Sequence, residues 1–347
     1  MPQVTWSSPF TNKLLLDAGF GGIYYGWGNF ERDPNPTHDL INVVEQCPAG
    51  CAANGGIPGL VYRSQDYGNN RAGSYSWRAS AAYVTGRQSF KVGYQGTYLS
   101  DIRTWSDNTQ NLQYRVANGV PNQLTEYISP WVNNALGAWH AVFVQDQWTA
   151  GRVTLQGALR FDHSSSWYSR TDGRAISIPS AIHRDSRNER REWVQDITPR
   201  MGAAYDLFGN GRTAVKANLG KYLEGQGNSN NWANANPTLR FPVSPGVTVF
   251  GPPGVTRTWT DRNSDFKVDC DLLNPNAQST TVDFCGALQN QAFGTPTFTR
   301  NFDPALLTGW GVRASDWTLG ASVQQQITAR SSVEICLHTP LVSLGSP

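Results

Sequence analysis

The feature of this sequence that most limits its fold is an alternation of apolar and polar side chains that recurs in several separate segments. Successive side chains of a β-strand point to opposite faces, so a period of two indicates a strand with one apolar and one polar face. In residues 74–84 the polar positions are Ser74, Ser76, Arg78 and Ser80, and every residue between them is apolar or aromatic. The pattern returns at residues 89–98, 153–162, 213–220 and 317–324. The sequence therefore predicts an all-β, antiparallel fold.

Short turns alternate with long polar connections along the chain. The turn at 209–212 contains Asn-Gly, which readily adopts the positive φ angles of a tight hairpin. Long polar segments cover residues 29–72, 101–110, 164–192 and 224–310. An outer-membrane barrel has short turns on one side of the membrane and long loops on the other. We expect about twelve strands, at residues 2–9, 12–26, 73–84, 87–100, 111–119, 123–131, 137–149, 152–163, 195–207, 212–223, 315–326 and 331–337.

Composition favours strands and argues against two other classes of protein. The chain has 34 Gly, 13 Trp, 13 Tyr and 14 Phe but only 2 Met among 347 residues, which favours strands and turns over helices. No run of about 18 apolar residues occurs, so the sequence excludes a helical membrane span. The net charge is only +2, and no cluster of Arg and Lys belongs to an RNA-binding motif. Nucleic acid is therefore not an expected partner.

Three segments resemble the barrels of TonB-dependent receptors. Residues 142–167 read VFVQDQWTAGRVTLQGALRFDHSSSW, which resembles a hairpin of that family with a Y/F-x-Q-D-Q-W strand before a strand ending in R-x-D. Residues 197–222, ITPRMGAAYDLFGNGRTAVKANLGKY, resemble the pair of strands that follows. DPALLTGWGVRASDWTLGASVQQQI resembles the Oar-like receptors, whose N-terminal domain is of the carboxypeptidase-regulatory-like type. The resemblance extends over about residues 2–335.

The resemblance implies a transmembrane β-barrel of about 22 strands in the bacterial outer membrane, closed by a plug and energised through TonB. We find neither plug nor TonB box, so we expect an internal or truncated piece of about twelve strands with long extracellular loops. After Glu334 the sequence ICLHTPLVSLGSP loses the alternation, which predicts a partial barrel at 1–337 and an aberrant or disordered tail at 338–347. The implied partners are outer-membrane lipid, a transported solute, and the TonB complex only through the missing plug.

The implied function is uptake of a large solute, which the sequence leaves open as a siderophore, an oligosaccharide or a peptide. The residues expected to line the lumen are the polar members of the alternating strands, namely Lys91, Gln95, Gln156, Arg160, Lys216 and Asn218. Aromatic residues near strand ends suit interfacial girdles, although ordinary core aromatics are the alternative; they are Trp6, Trp77, Trp148, Trp193, Tyr222 and Trp317. The rival hypothesis is a secreted or surface β-sandwich that binds carbohydrate or acts as an adhesin, which would bury its apolar face against a second sheet.

Four of the five cysteines form two close pairs, Cys47 with Cys51 and Cys270 with Cys285. We expect both pairs to be disulfides, as suits an oxidising compartment. The alternatives are unpaired thiols or half of a zinc site, but neither pair has a neighbouring His or Cys to complete four ligands.

Oxygen-bearing side chains recur in DRNSDFKVDCD, at Asp261, Asn263, Asp265, Asp269 and Asp271. Ca²⁺ prefers such ligands, although Phe266 stands where an EF-hand loop needs Gly, and Leu272 where it needs Glu. A structural Ca²⁺ site and a polar loop folded around the second disulfide are the two interpretations. No other cofactor is expected. The five histidines are scattered, and neither H-E-x-x-H nor G-x-S-x-G occurs, so we do not expect an enzyme.

Overall fold

A computed structural model gives the fold and describes residues 1–29, 37–54, 56–65, 67–106, 108–129, 131–167, 172–173, 182–183, 192–225, 254–293 and 308–344. Within these ranges the chain contains β-strands and a single short 3-10 helix at Ala52–Asn54. None of the described helical residues forms a segment long and apolar enough to cross a membrane. The all-β prediction is confirmed.

The strands are, in chain order, β1 (Gln3–Pro9), β2 (Leu14–Trp27), β3 (Asn42–Glu45), β4 (Val61–Tyr62), β5 (Tyr67–Gly68), β6 (Asn70–Thr85), β7 (Gln88–Ser106), β8 (Leu112–Ala117), β9 (Val120–Tyr127), β10 (Trp131–Ala150), β11 (Val153–Trp167), β12 (Asp172–Gly173), β13 (Ile182–His183), β14 (Glu192–Asp206), β15 (Thr213–Leu223), β16 (Gly254–Asp261), β17 (Gln278–Ser279), β18 (Asp283–Cys285), β19 (Gly309–Trp310), β20 (Ser315–Thr328) and β21 (Ser331–Leu344).

The larger sheet, which we call the wall, has twelve strands. Ten long strands lie in the order β1-β2-β6-β7-β10-β11-β14-β15-β20-β21, and the short strands β5 and β19 pair with β7 and β14. All neighbouring long strands are antiparallel, and the path runs from β1 to β21 without closing on itself. The short turns all lie at one end of the wall, and the long connections leave from the other end. This alternation confirms the hairpin pattern predicted from the sequence.

A second sheet, which we call the outer sheet, is built from the long connections. Its order is β17-β18-β16-β9-β8-β3-β4, so the connections β2–β6, β7–β10 and β15–β20 all contribute strands. β3 and β8 are parallel, whereas β8 pairs antiparallel with β9, and β9 pairs antiparallel with β16. Strands from three separate connections therefore fold together into one sheet.

Residues 111–119 and 123–131 were correctly predicted to contain strands, but the prediction that these strands belong to the barrel wall was wrong. These segments are β8 and β9 of the outer sheet and not strands of the wall. Leu112, Tyr114 and Val116 alternate as a wall strand would, but they are buried in a protein core. Period two cannot separate a strand that faces lipid from one that faces a core. The turn lies at Asn118-Gly119, whose φ angles of 53° and 77° fit a tight hairpin, and not at 120–123.

The outer sheet has its own hydrophobic core. Trp259 is fully buried, lies 4.7 Å from the ring of Tyr114, and donates a 3.0 Å hydrogen bond from Nε1 to Asp283 Oδ2. The other buried members of this core are Ile41, Val43, Leu112, Val116, Leu124 and Cys285. The structure joins Cys270 to Cys285 at the edge of this core, and Cys47 to Cys51 beside β3. Apolar burial therefore stabilises the outer sheet as a unit.

Residues 338–344, which we expected to belong to an aberrant or disordered tail, are part of β21. β21 continues to Leu344, paired with β20, with a register shift between Trp317 and Thr318. Main-chain hydrogen bonds need no side-chain alternation, so the loss of the pattern did not end the strand. Pro340 fits because β21 is an edge strand, where a missing N–H need not break the ladder.

Candidate functional site

The wall has one apolar and one polar face, because the register keeps residues of the same type side by side. One representative row crosses β6, β7, β10, β11 and β14 and consists of Ala81, Val92, Val144, Leu159 and Pro199. This face is not buried against protein: Val142 is 51% and Leu159 is 53% exposed. Exposed apolar area on this scale is far beyond what a monomeric soluble protein tolerates.

The polar face carries all six residues expected to line a lumen. Gln95, Gln156, Arg160 and Asn218 share a groove of about 350 Å³. Phe143, Gln145, Arg200 and Tyr222 are among the other residues that line it. The other two predicted residues lie on the same face outside this groove: Lys91 pairs with Gln145 across the β7–β10 ladder, and Lys216 reaches β20 and β21. The alternation therefore places these side chains on one surface, but only four of the six share one groove.

Two basic groups of the polar face, Arg160 and Lys216, have acidic partners. Arg160 donates 2.9 and 3.0 Å hydrogen bonds from Nε to the carboxylate of Asp162, and another from Nη1 to Gln95. Lys216 Nζ donates to Gln324 at 2.7 Å and pairs with Glu334 at 3.0 Å. The polar face is therefore a hydrated surface of amides, in which these two ion pairs compensate part of the charge.

Sequence reasoning missed Arg200, Phe143 and Tyr222. The alternation of β14 carried the signal for Arg200, which occupies the polar position of its strand and lies 4.6 Å above the Tyr222 ring. Tyr222 was expected in an interfacial girdle, and it lies on the polar face instead because its strand position has the parity of Asn218. Phe143 carried no signal, since an aromatic residue at a polar position breaks the pattern.

The oxygen-bearing side chains of the acidic loop accept hydrogen bonds from within the loop itself. Asp261 accepts hydrogen bonds from the backbone N–H groups of Ser264 and Phe266, at 2.7 and 2.9 Å. Asp265 and Asp271 accept from backbone N–H groups two residues further on, and Asp269 accepts from the Asn263 amide. In the part of the chain that the structure describes, no three His, Cys, Asp or Glu side chains are placed to hold a metal. Turn formation uses these oxygens, so they do not converge on one point.

The comparison with protein families decides the class of the chain. The profile described as an outer membrane beta barrel domain matches residues 2–336. The chain belongs to this family. It lies in the bacterial outer membrane, where the apolar face of a barrel wall is the one that meets lipid.

Solved structures similar to this outer-membrane barrel chain include three bacterial proteins. They are the ferric yersiniabactin uptake receptor FyuA of Yersinia pestis (9% identity, TM-score 0.41, 97% of this chain and 42% of that chain), the outer membrane transporter YddB of Escherichia coli (11%, 0.43, 97% and 42%) and the siderophore receptor PiuA of Acinetobacter baumannii (10%, 0.36, 97% and 46%). The chain spans less than half of the length of each. No curated protein matches its sequence.

Aromatic residues flank the lipid-facing band of the barrel. Trp148 lies close to the short turns, directly opposite Leu155 and Gln88 of the neighbouring strands. Trp77 lies toward the other end, opposite Phe20 and Gly96. The register also places Trp6, Trp193 and Trp317 on the lipid-facing side. Five of the six residues expected in girdles therefore lie on that face, and Tyr222 is the exception.

The barrel wall divides at the upper part of β14. β15 pairs with β14 only from Arg200 to Asp206, and β19 pairs in parallel with β14 at Val194 and Gln195. Asp196, whose side chain is fully buried, lies in this fork with its Oδ2 3.4 Å from Arg313 Nε and its Oδ1 3.9 Å from Lys221 Nζ. Burial lowers the pKa of Arg313 from its usual value, and Asp196 opposes that shift. We call residues 308–314 the strap, because they fill the fork.

Proposed function

We propose that the chain is part of the transport barrel of a TonB-dependent receptor, and that it supports uptake of a large solute across the outer membrane. The observation that carries this proposal is the wall itself: one continuous antiparallel sheet with a lipid-facing side, a polar side, and an ordered outer sheet at the end away from the short turns. The family assignment and the receptor-like motifs at 142–167 and 197–222 support it.

The polar face would provide a passage in which the solute exchanges hydrogen bonds with amides and paired charges. Gln95, Gln156 and Asn218 offer both donors and acceptors, and the Arg160–Asp162 pair is already compensated. Such a lining suits a hydrated, polar solute better than an apolar one. Siderophore, oligosaccharide and peptide remain the classes proposed. Transport requires no chemical step on the solute, and we assign none to this chain.

Energy coupling would act elsewhere in such a receptor. In this proposal the TonB complex pulls on a plug domain, and the wall described here is the passive frame around it. The outer sheet, built from three extracellular connections, would meet the solute first.

The rival hypothesis of a soluble β-sandwich is not favoured. A sandwich buries the apolar face of one sheet against another. Here each of the ten long wall strands exposes at least one large apolar side chain on that face, and the outer sheet is formed by connections at one end of the strands.

Expression of the full chain with an export signal tests the proposal. We expect the chain in the outer-membrane fraction. Closed barrels resist SDS until heated, so a gel mobility that changes on boiling would show in addition that the edge strands β1 and β21 become paired. A detergent-free, monomeric, soluble product would refute the proposal and revive the sandwich.

Solute passage is tested separately in proteoliposomes with entrapped fluorescent oligosaccharides and peptides. Flux through the wild type should change when Arg160→Gln and Arg200→Gln alter the lumen face, whereas Arg262→Gln in the outer loops serves as the matched control. Equal flux in all three variants would contradict a role of the groove in passage.

A further inference from the structure

Each of the five short turns of the wall ends in a basic residue. In every case that residue stands directly before the first residue of the strand that follows. Three of the turns place a glycine with positive φ just before it, at Gly86, Gly151 and Gly211, so the turn geometry does not itself require a basic side chain. The five residues, which we call the basic rim, are Lys13, Arg87, Arg152, Arg212 and Arg330.

The basic rim belongs to the polar face of the wall. Side chains at positions i and i+4 of a strand lie on the same face. Each residue of the rim stands four positions before a residue of the polar face, namely Asp17, Lys91, Gln156, Lys216 and Glu334. Successive turns are two strands apart, which separates neighbouring members by about 10 Å. Short turns of an outer-membrane barrel lie on the periplasmic side, so the rim marks the periplasmic end of the wall.

Acidic side chains do not neutralise the rim. All five basic residues are exposed, and within the ranges that the structure describes none of their side chains forms an ion pair. The acid of the short turns is Asp206, whose carboxylate accepts hydrogen bonds from the backbone N–H groups of Gly209 and Gly211 at 3.0 and 2.8 Å. Glu334 of β21 is already paired with Lys216. The periplasmic end of the polar face therefore carries a net positive charge.

Two members of the rim share a groove. Arg212 and Arg330 line a depression of about 330 Å³ between the β14–β15 and β20–β21 turns. The backbone N–H of Gln326 donates a 2.7 Å hydrogen bond to the carbonyl oxygen of Arg212, which holds the two turns side by side. The other lining residues are small or carry neutral hydrogen-bonding groups, and none is acidic: Gly211, Ala214, Gln324, Gln326, Ala329, Ser331 and Ser332.

The donors of this groove suit an oxyanion. Each guanidinium presents five N–H donors in a planar fork that matches the oxygens of phosphate and carboxylate. Ser331 and Ser332 add hydroxyl groups at the start of β21. Lys216 Nζ donates to the side-chain oxygen of Gln324 at 2.7 Å, so that amide can offer its NH₂ group to a ligand. Donors thus come from both turns, and a tetrahedral anion can use them because its oxygens point in several directions.

We propose that this groove binds the phosphate group of a soluble phosphorylated compound at the periplasmic end of the wall. The two guanidinium groups would donate to the phosphate oxygens, and the serine hydroxyls would complete the set of donors. Ala214 and Ser332 of the lining stand two positions before Lys216 and Glu334, so the groove opens on the polar face. A soluble compound is therefore the occupant, and not a phospholipid headgroup. The site is independent of the solute uptake proposed above.

Isothermal titration calorimetry of inorganic phosphate into the full chain, purified in a neutral maltoside detergent, tests the site. The comparison probe is succinate, which in alkaline buffer is a dianion like phosphate but has planar carboxylates. We expect saturable binding of phosphate, at least about tenfold tighter than that of succinate. Equal binding of the two dianions overturns the proposal, as does the absence of saturable phosphate binding.

Two double variants test the arginines. Arg212→Gln/Arg330→Gln should weaken phosphate binding at least about tenfold, because a hydrogen bond to a charged group typically contributes that much or more. Arg212→Lys/Arg330→Lys keeps both charges but loses the planar forks, and it should bind more weakly than the wild type and more tightly than the Gln variant. Undiminished binding by the Gln variant overturns the proposal. If that variant does not fold, the comparison of phosphate with succinate on the wild type decides.

Two controls separate the groove from the rim and from lipid. Arg87→Gln removes the same side chain from the same turn position two turns away, and it should change binding less than about threefold because salt screens its charge at that distance. A loss as large as that of the double Gln variant would mean diffuse attraction without a site. Phosphate binding should persist in nanodiscs that contain phosphatidylglycerol. Its loss there would show that lipid headgroups fill the groove and would overturn the soluble occupant.

Discussion

Arg257 of the outer sheet provides the sharpest test of how the extracellular connections are held together. Its side chain is fully buried on β16, and its Nε lies 3.0 Å from Oε1 of Glu126 on β9, whose side chain is 3% exposed. Nη2 also donates to the backbone oxygen of Asn274 at 2.9 Å. Burial lowers the pKa of Arg257, and the Glu126 carboxylate counteracts that shift. One ion pair therefore joins the β7–β10 connection to the β15–β20 connection.

Arg257→Met keeps most of the aliphatic length but leaves the Glu126 carboxylate buried without its cation. Removing one partner of a buried ion pair typically costs about 3–5 kcal/mol. Since about 1.4 kcal/mol corresponds to a tenfold change in an equilibrium constant, opening of the outer sheet should become roughly a hundredfold to a few thousandfold more frequent. Replacing both partners by apolar residues, in Arg257→Met/Glu126→Leu, should recover much of this loss because no charge is left buried.

Hydrogen exchange of the folded barrel measures the effect. Amides of β8, β9 and β16 should lose protection in Arg257→Met, whereas those of β10 and β11 in the wall should not change and serve as the internal reference. Arg262→Met, at an exposed arginine of the same connection, is the control. Equal exchange in the two single variants would refute the reasoning, and so would a double variant as labile as Arg257→Met.

Three further predictions concern other contacts. Replacing Cys270 and Cys285 by Ala opens a cross-link between residues 15 apart and should destabilise the outer sheet by about 3 kcal/mol, measured as faster proteolysis of the connections with the wall intact. Arg313→Met leaves the buried carboxylate of Asp196 with only Lys221, 3.9 Å away, and should lower the thermal unfolding temperature of the chain purified in detergent; an unchanged temperature would show that this ion pair of the strap does not stabilise the fold. The pKa of Glu45 is lowered below 4.5, chiefly by the hydrogen bond from the backbone N–H of Cys47 and further by two other backbone N–H groups. The stability that ionised Glu45 contributes to the outer sheet is therefore complete above about pH 4.5 and is lost as the pH falls through the lowered pKa. In Glu45→Gln, the protection of outer-sheet amides from hydrogen exchange should decline less as the pH falls. Identical pH profiles for the variant and the wild type would contradict this prediction.

The wall was predictable because the type of each residue in a wall strand depends directly on whether its side chain faces lipid or water. Lipid on one side and water on the other impose apolar and polar positions directly, as in residues 74–84 and 153–162. The tight turns were predictable because a local sequence such as Asn-Gly is enough to indicate them. Residues 338–344 were not, since strand pairing there rests on the main chain alone.

The outer sheet could not be predicted because its partners are far apart in sequence. The alternation in β8 and β9 correctly predicted strands. Their apolar residues are buried in a core shared with β3 and β16, which belong to other connections. The candidate lumen groove was predictable in part: parity gave Gln95, Gln156 and Arg160, whereas Phe143 violates parity. In the acidic loop the composition suits a cation, but the sequence did not show that the oxygens of Asp261 accept hydrogen bonds from backbone N–H groups of the same loop.

The composition of the outer sheet from three connections sets an order of events in folding. Val255 pairs with Glu126, about 130 residues earlier, and closing so long a loop is slow compared with forming a local hairpin. The β8–β9 hairpin and the Cys270–Cys285 loop can each form as soon as their own residues are available. The outer sheet can be completed only after the wall strands that lie between β9 and β16 in the chain, namely β10, β11, β14 and β15, have formed. We therefore expect that a newly folded wall carries an incomplete outer sheet. This sheet should be sensitive to protease at first and become resistant once β16, β17 and β18 have paired.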